Sequence, residues 1–196
     1  AVTTKEKLLA LLEDSKGTFF SGEEIARTLQ VSRAAVWKAV NALREDGYTI
    51  DAVTNKGYRL SPDSDILSPQ GIRRFLKPEY RDLNLTVLPT VPSTNALVRE
   101  KANQGCPEGC VIIACEQTAG RGRYGRQFFS PADTGVYLSL LLRPTAYSPQ
   151  QATCLTAAAA AAMCQAIEAV TGQHPGIKWV NDIFLHGKKV CGILTE

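Results

Sequence analysis

Residues 21–47 have the sequence SGEEIARTLQVSRAAVWKAVNALREDG, which specifies two helices separated by one tight turn. Ser21-Gly22-Glu23-Glu24 has the Ser-x-x-Glu form of a capping box, which opens the first of these helices. Ser32 is a natural N-cap for the second, and Gly47 is placed to end it in the left-handed conformation. The spacing therefore predicts a helix-turn-helix.

The second of these helices has two contrasting faces. One face is apolar and consists of Val36, Ala39, Val40 and Leu43. These residues recur at three- and four-residue spacing, which predicts that this face is buried. The other is polar and basic, and a DNA major groove would meet it. That face carries Arg33, Trp37, Asn41 and Arg44, and the expected DNA contacts along the helix are Ser32, Arg33, Ala34, Trp37, Lys38 and Asn41.

The flanking sequence completes a winged helix over residues 1–62. Leucines at positions 8, 9, 11 and 12 predict a preceding helix. Tyr48 to Val53 and Tyr58 to Leu60 predict two short strands, joined by a glycine-containing turn with Lys56 at its tip. Lys56 is accordingly a further expected DNA contact.

The charge of this first domain is nearly balanced, with nine Lys/Arg against eight Asp/Glu over residues 1–62. Winged helices also dock proteins, and this alternative stays open beside DNA binding. A nearly neutral monomer would bind DNA weakly, whereas a pair doubles the phosphate contacts and reads two half-sites. We therefore expect a homodimer on a palindromic operator.

Length and composition favour two domains and a cytoplasmic protein. The 196 residues carry a net charge of +3, and the polar segment 63–68 predicts a linker before a second domain over 69–196. The six cysteines form no paired C-x-x-C, which favours free thiols and no metal site. No targeting or membrane-spanning segment is expected, because Thr156 and Gln165 bracket the alanine-rich run.

The second domain mixes strands and helices in an α+β pattern with a mainly antiparallel sheet. A short helix over Pro69 to Leu76 is expected to open it. The strands are expected over Leu85 to Leu88, Val111 to Gln117, Val136 to Leu142, Ile177 to Leu185 and Lys189 to Leu194, the last two forming a hairpin around His186-Gly187. The helices are expected over Thr94 to Asn103 and Pro149 to Thr171.

Residues 120–126, GRGRYGR, lie between two of these strands. Glycine lets the backbone approach a ligand closely, while arginine offers permanently charged, forked donors to carboxylate and phosphate oxygens. Disordered nucleic-acid-binding segments also contain such runs. The flanking strands favour instead an anion-binding loop on a rigid scaffold.

Four motifs resemble the bifunctional biotin protein ligases that also repress the biotin operon. They are Pro92-Ser93-Thr94-Asn95, residues 117–126 with Ser130-Pro131, residues 178–182 (KWVND) and residues 189–193 (KVCGI). The resemblance runs the length of the chain and implies a class II synthetase-like fold. It implies that biotin and ATP, with Mg²⁺, form biotinyl-5′-adenylate, and that the biotinyl group passes to a lysine of a carboxylase carrier domain.

The resemblance also implies roles for individual residues. The biotin pocket would comprise Ser93, Thr94, Asn95, Gln117, Gly120, Arg121, Gly122, Arg123 and Lys189. Contacts to ATP or the adenylate would come from Arg121, Arg126, Phe128, Lys178 and Asn181. The catalytic residues would be Arg123, Lys189 and Asp182, with Asp182 near the incoming lysine amine.

Local roles compete with these assignments. Ser93-Thr94 could cap the following helix as well as line a pocket, and Lys178 and Lys189 could be solvated strand-end lysines. For Lys189 the site is favoured, because Val190 and Ile193 beside it are expected in the core. Tyr124 and Trp179 are expected to be packing residues.

This chain departs from the family pattern in two ways. Phe128 stands where tryptophan is common, and it offers a ring face without an indole N–H. The family continues through more of the sheet and a small C-terminal barrel, so the expected fold is incomplete beyond Glu196. Two other functions stay open: a regulator that senses biotin or its adenylate without making it, and a ligase for another acid such as lipoate.

Overall fold

The computed structural model describes residues 2–145 and 152–196. The chain divides into two compact units, Ala1–Leu83 and Asn84–Glu196. Unit 1 contains α1 (Thr4–Asp14), α2 (Gly22–Leu29), α3 (Arg33–Glu45), β1 (Ile50–Val53), β2 (Gly57–Leu60), α4 (Pro69–Arg73) and a 3₁₀ turn at Pro78–Tyr80. The predicted helix-turn-helix and hairpin are thus both present.

Local capping sets the helix ends of unit 1 where the sequence places them. The Ser21 hydroxyl accepts from the Glu24 N–H, and the Ser32 hydroxyl accepts from the Ala35 N–H. After α3, Gly47 adopts a φ of 93°, as predicted for its helix-ending role. A reciprocal capping box is present one helix earlier, between Thr3 and Glu6 at the start of α1.

The core of unit 1 is formed by the apolar faces of the three helices and the hairpin. Its members are Leu8, Leu9, Leu12, Ile25, Val36, Ala39, Val40, Leu43, Tyr48, Ile50 and Leu60. The predicted buried face of α3 is confirmed in full.

The wing is an antiparallel pair in which Ile50 lies opposite Leu60 and Val53 opposite Gly57. Gly57 has a φ of 94°, and a Cβ there would lie 2.0 Å from the carbonyl oxygen of Phe20. Only glycine fits this close approach, which brings the wing against the segment before α2.

The segment after the wing belongs to unit 1, which differs from the expected domain start at residue 69. Ile66 packs against the core of unit 1, and Ser68 caps α4. Arg74 donates to the Glu13 carbonyl oxygen at 2.5 Å, and its Nη1 lies 3.7 Å from the Glu13 carboxylate. The bond between Arg74 and Glu13 joins residues 61 positions apart. A break in local composition therefore does not show that the two segments belong to one unit.

Unit 2 contains β3 (Asn84–Val91), α5 (Thr94–Asn103), β4 (Cys110–Gln117), a 3₁₀ turn (Arg123–Gly125), β5 (Tyr137–Leu140), α6 (Ala152–Thr171), β6 (Gly176–Lys178), β7 (Asp182–Leu185) and β8 (Lys188–Gly192). One sheet has the order β3-β4-β5, with a parallel first pair and an antiparallel second pair. The other, β6-β7-β8, is antiparallel throughout. The α+β fold with mainly antiparallel pairing is therefore confirmed.

One expected strand of unit 2 differs from the structure, and the expected start of one helix lies outside the described residues. The predicted strand Ile177 to Leu185 is two strands, because the chain turns back at residues 179–181 and pairs Lys178 with Asp182. The KWVND motif therefore lies at a turn. The predicted helix start at Pro149 lies outside the described residues, and the helix is described from Ala152.

Helix α6 is long and apolar. By length and composition Thr153–Thr171 could cross a membrane, and 11% of this segment is buried. Thr156 and Gln165 thus do not lower its hydropathy below that of membrane spans, in contrast to the sequence expectation. The same length and composition occur in core helices of globular proteins. The six cysteines, all within the described ranges, are free thiols.

Candidate functional site

A network of buried polar side chains forms where β3 leads into α5. Ser93 caps α5 and is buried, so its expected capping role is confirmed. Thr94 donates its backbone N–H (2.8 Å) and its hydroxyl (3.1 Å) to Gln117 Oε1 at the end of β4. Gln117 Nε2 donates to the Ser130 hydroxyl at 3.0 Å. Residues of two motifs that are predicted to line the biotin pocket are therefore hydrogen-bonded to each other.

Ser139 on β5 completes this network and was missed by the sequence analysis. Its hydroxyl donates to Thr94 Oγ1 at 2.8 Å and also contacts Asn95 Oδ1. The Asn95 amide in turn donates to the Leu194 carbonyl oxygen at 3.3 Å. The signal available in the sequence was a serine between apolar residues of a strand, since a buried hydroxyl needs a partner.

The arginine-glycine loop folds back on itself as a narrow hairpin. The Phe128 N–H donates to the Gly120 carbonyl oxygen at 2.9 Å, and the Gly122 N–H donates to the Arg126 carbonyl oxygen at 2.7 Å. A Cβ at Gly120 would lie 2.4 Å from the Phe128 carbonyl oxygen and 2.8 Å from the Ser130 hydroxyl. Gly120 is thus required for the loop to close against the Gln117–Ser130 pair.

The loop borders a cavity of about 480 Å³ lined by residues 121–126 with Leu194 and Glu196. Three arginines border it: Arg121, Arg123 and Arg126. The pKa of the Glu196 carboxyl is lowered by a hydrogen bond from Asn95 and by the charges of Arg99 and Arg121. Of these three residues Arg121 lines the cavity, so its charge helps to stabilise a carboxylate there.

A continuous line of contacts connects the loop with the second sheet. Arg123 Nη1 donates to Asn181 Oδ1 at 3.1 Å, and Asn181 Nδ2 donates to Asp182 Oδ1 at 3.1 Å. Lys189 Nζ lies 2.7 Å from Asp182 Oδ1 and 5.9 Å from the centre of the Phe128 ring. The structure therefore brings together residues from three separate motifs.

Lys178, an expected contact to ATP, lies over the Phe184 ring at 5.5 Å. Two expectations about packing at this site are not met. Tyr124 and Trp179, expected to pack, are 85% and 77% exposed. Val190, expected in the core beside Lys189, is 48% exposed. Apolar character alone does not tell a core position from an exposed one.

The candidate DNA face of unit 1 is exposed at most of its predicted positions. The exposed members are Ser32, Arg33, Ala34, Trp37, Lys38 and Lys56, while Asn41 is half-buried. Arg44 is exposed as well, but its Nε and Nη2 donate to the Ile50 carbonyl oxygen at 3.1 and 2.6 Å. Arg44 therefore holds the wing against α3.

Metal-ligating side chains do not cluster at either surface. Within residues 2–145 and 152–196, no group of three or more His, Cys, Asp or Glu side chains could hold a metal ion. Asp182 Oδ1 is already engaged by Lys189, and Asn181 Oδ1 is already engaged by Arg123.

The chain thus combines a winged helix-turn-helix with an α+β unit that carries an arginine-rich loop. Residues 87–196 match the Biotin/lipoate A/B protein ligase family, and residues 4–59 match an HTH domain. The chain belongs to the Biotin/lipoate A/B protein ligase family.

Several similar proteins have names that state both a ligase and a repressor. The "Bifunctional ligase/repressor BirA" of Bacillus subtilis is 43% identical over 194 residues, covering 99% of this chain and 59% of that protein. The protein of the same name from Escherichia coli is 34% identical over 194 residues, covering 99% and 58%. This chain thus spans a little under three-fifths of the length of these relatives.

One similar solved structure is a biotin protein ligase from Leishmania major in complex with biotinyl-5-AMP. It is 25% identical with a TM-score of 0.51, and the match covers 57% of this chain and 51% of that one. The likeness is consistent with the ligase fold of unit 2.

Proposed function

We propose that this chain activates biotin with ATP to form biotinyl-5′-adenylate and pyrophosphate, and transfers the biotinyl group to a lysine of a carboxylase carrier domain. The observation that carries the proposal is the contact line from Arg123 through Asn181 and Asp182 to Lys189. It lies in the same unit as the hydrogen-bonded pair of Thr94 and Gln117, two of the residues expected to line the biotin pocket.

The first step needs two anions held together, because the biotin carboxylate attacks the α-phosphate of ATP and no protein nucleophile is required. Ser93, Thr94, Asn95 and Gln117 offer the short polar groups that suit a ureido ring. Lys189 would neutralise the biotin carboxylate, and the loop arginines would stabilise the charge that builds on the phosphate. Gly120 and Gly122 would let the loop close over biotin, because neither has a side chain that would block the close approach.

The second step passes the biotinyl carbonyl from the adenylate to an amine, with AMP as the leaving group. Asp182 is placed beside Lys189 at 2.7 Å. Its carboxylate would orient the incoming lysine amine, and Asn181 with Arg123 would hold the adenylate phosphate. Arg126 and Phe128 would contact the nucleotide, the latter through its ring face. Lys178 is proposed to reach ATP only after leaving the Phe184 ring.

Mg²⁺ would accompany ATP. Carboxylate and carbonyl oxygens suit this ion, but Asp182 Oδ1 and Asn181 Oδ1 are engaged by Lys189 and Arg123. We infer that the phosphates of ATP supply most of the ligands, as in sites that bind magnesium with its nucleotide.

Unit 1 would bind a palindromic operator as a cytoplasmic homodimer, with the winged helix over residues 1–62 as the DNA-binding part and unit 2 as the ligase domain. Support comes from the exposed Arg33, Lys38 and Lys56 on the recognition helix and wing. Formation of the adenylate would order the loop and favour the dimer, so that biotin represses transcription.

The test is biotin-dependent exchange of labelled pyrophosphate into ATP by the full chain. Arg123→Gln should lower the exchange rate by about 10²–10³, the usual effect of losing one charge-stabilising donor. Arg143→Gln is the matched control, because Arg143 donates to carbonyl oxygens of Ala102 and Cys106 at the other end of α5.

Other outcomes identify the competing functions. Biotin binding by calorimetry without exchange would make this chain a sensor of biotin or its adenylate. Exchange with lipoate in place of biotin would make it a ligase for that acid. Equal loss in both arginine variants would contradict the assigned role of Arg123.

A further inference from the structure

Trp37 is an apolar residue between Arg33 and Asn41 on the polar face of α3. We call the line formed by these three residues the ridge. Arg33, Trp37 and Asn41 follow one another at a spacing of four residues, so their side chains share one face of the helix. The indole is 61% exposed, and Trp37 is not part of the core cluster of unit 1. The packing of the unit therefore does not explain the tryptophan.

The position of Trp37 in α3 suits contact with base edges. The helix begins at Arg33, so Trp37 is in its second turn. In helix-turn-helix proteins the N-terminal part of the second helix approaches the bases in the major groove. An indole standing out from that part of the helix reaches further than the alanine beside it.

The major groove offers an apolar group on one base only. Guanine and adenine present acceptors and donors, cytosine presents a donor, and thymine presents an acceptor with its C5 methyl group. Arginine pairs with guanine and asparagine with adenine, which accounts for the two neighbours of Trp37 on the ridge. An exposed indole between them matches the thymine methyl.

We propose that Trp37 reads thymine by packing its ring against the C5 methyl group in the major groove. This proposal rests on the proposed DNA binding and adds the base that one side chain selects. Lys38 and Lys56 would supply contacts to phosphate, which carry affinity without base preference.

The experiment begins with the preferred sequence of the full chain, selected from random duplexes in the presence of biotin and ATP. Each thymine of that sequence is then replaced singly by deoxyuridine, which removes only the C5 methyl group. Fluorescence anisotropy gives the dissociation constant of each duplex. We expect at least one position at which deoxyuridine weakens binding about fourfold, the effect of exposing one methyl group.

Trp37→Ala should bind the thymine and deoxyuridine duplexes equally at that position. Phe75→Ala is the matched control, since Phe75 is an exposed aromatic residue of the same unit that lies outside α3. This control should keep the fourfold difference. Circular dichroism checks that both variants retain the helical fold.

Four outcomes would overturn the inference. Sequence-specific binding without any deoxyuridine effect would refute thymine readout and leave DNA binding intact. A deoxyuridine effect that persists in Trp37→Ala would assign the methyl contact to another residue. Unchanged DNA binding by Trp37→Ala, together with the loss of a protein partner, would make the ridge a protein-docking surface. Absence of any specific binding would refute the proposed DNA function as well.

Discussion

Ser139→Ala should weaken biotin binding although Ser139 is not expected to contact biotin. The substitution removes one hydroxyl, which donates to Thr94 Oγ1 at 2.8 Å and contacts Asn95 Oδ1. Both partners are expected to line the biotin pocket. Ser139 would thus act as a positioning residue, because it fixes two side chains that meet the ligand.

The expected loss of stability and of biotin affinity depends on the hydrogen bonds that Thr94 retains in Ser139→Ala. Thr94 keeps its two hydrogen bonds to Gln117, so it loses one hydrogen bond of these three. A net intramolecular hydrogen bond contributes about 1 kcal/mol, and a buried group left without a partner costs about 1–3 kcal/mol. We expect a loss of about 1–2 kcal/mol in the free energy of unfolding. For biotin, about 1 kcal/mol of lost preorganisation corresponds to an increase in Kd of about fivefold.

Urea denaturation gives the first quantity and isothermal calorimetry with biotin gives the second. Thr90→Ala is the matched control, because the Thr90 hydroxyl also makes one hydrogen bond in this sheet, to Glu116 at 2.9 Å on the exposed surface. This control should change both quantities little. An unchanged biotin Kd in Ser139→Ala, alongside the expected loss of stability, would refute the positioning role and leave a purely structural one.

Three further predictions concern the loop, the ion pair and the core of unit 1. Gly120→Ala should destabilise unit 2 by about 1–3 kcal/mol in urea denaturation and impair biotin binding, because its Cβ would lie 2.4 Å from the Phe128 carbonyl oxygen. Lys189→Met should lower pyrophosphate exchange by about 10²–10³. It should change the free energy of unfolding by less than about 1 kcal/mol, because the pair with Asp182 is partly exposed. Burial raises the pKa of the Tyr48 hydroxyl above its ordinary value of 10.0. The unfolded chain therefore loses this proton first, and stability should fall as the pH rises above about 10; Tyr48→Phe should reduce that slope in denaturation at pH 9 to 11.

Most of unit 1 could be predicted because its signals are local. The caps at Ser21 and Ser32, and the apolar spacing of α3, act within a few residues of the chain. The role of Arg44 could not be predicted, because the same helical position serves a DNA contact or a bond to the Ile50 carbonyl oxygen. Helical periodicity gives the face of a side chain and says nothing about its partner.

In unit 2 the motifs identified most of the residues that meet, and the resemblance supplied their proposed roles. The bond between Thr94 and Gln117 joins residues 23 positions apart, and that between Arg123 and Asn181 joins residues 58 apart. Spacing along the chain does not encode such pairs. The turn at residues 179–181 was missed because apolar residues on both sides of it continue the pattern of a strand.

The parallel pairing of β3 with β4 has a practical consequence for modifying the protein. Parallel neighbours need a crossover, and α5 provides it, so the residues proposed to meet biotin lie at the start of α5 while the chain returns at the opposite end. At that far end the space around Gly105 is open, with no atom within 4 Å of an added Cβ, but its φ of 83° favours keeping the glycine and inserting beside it. A short peptide tag or a fluorescent label inserted at this turn would report on the protein in cells without entering the pocket.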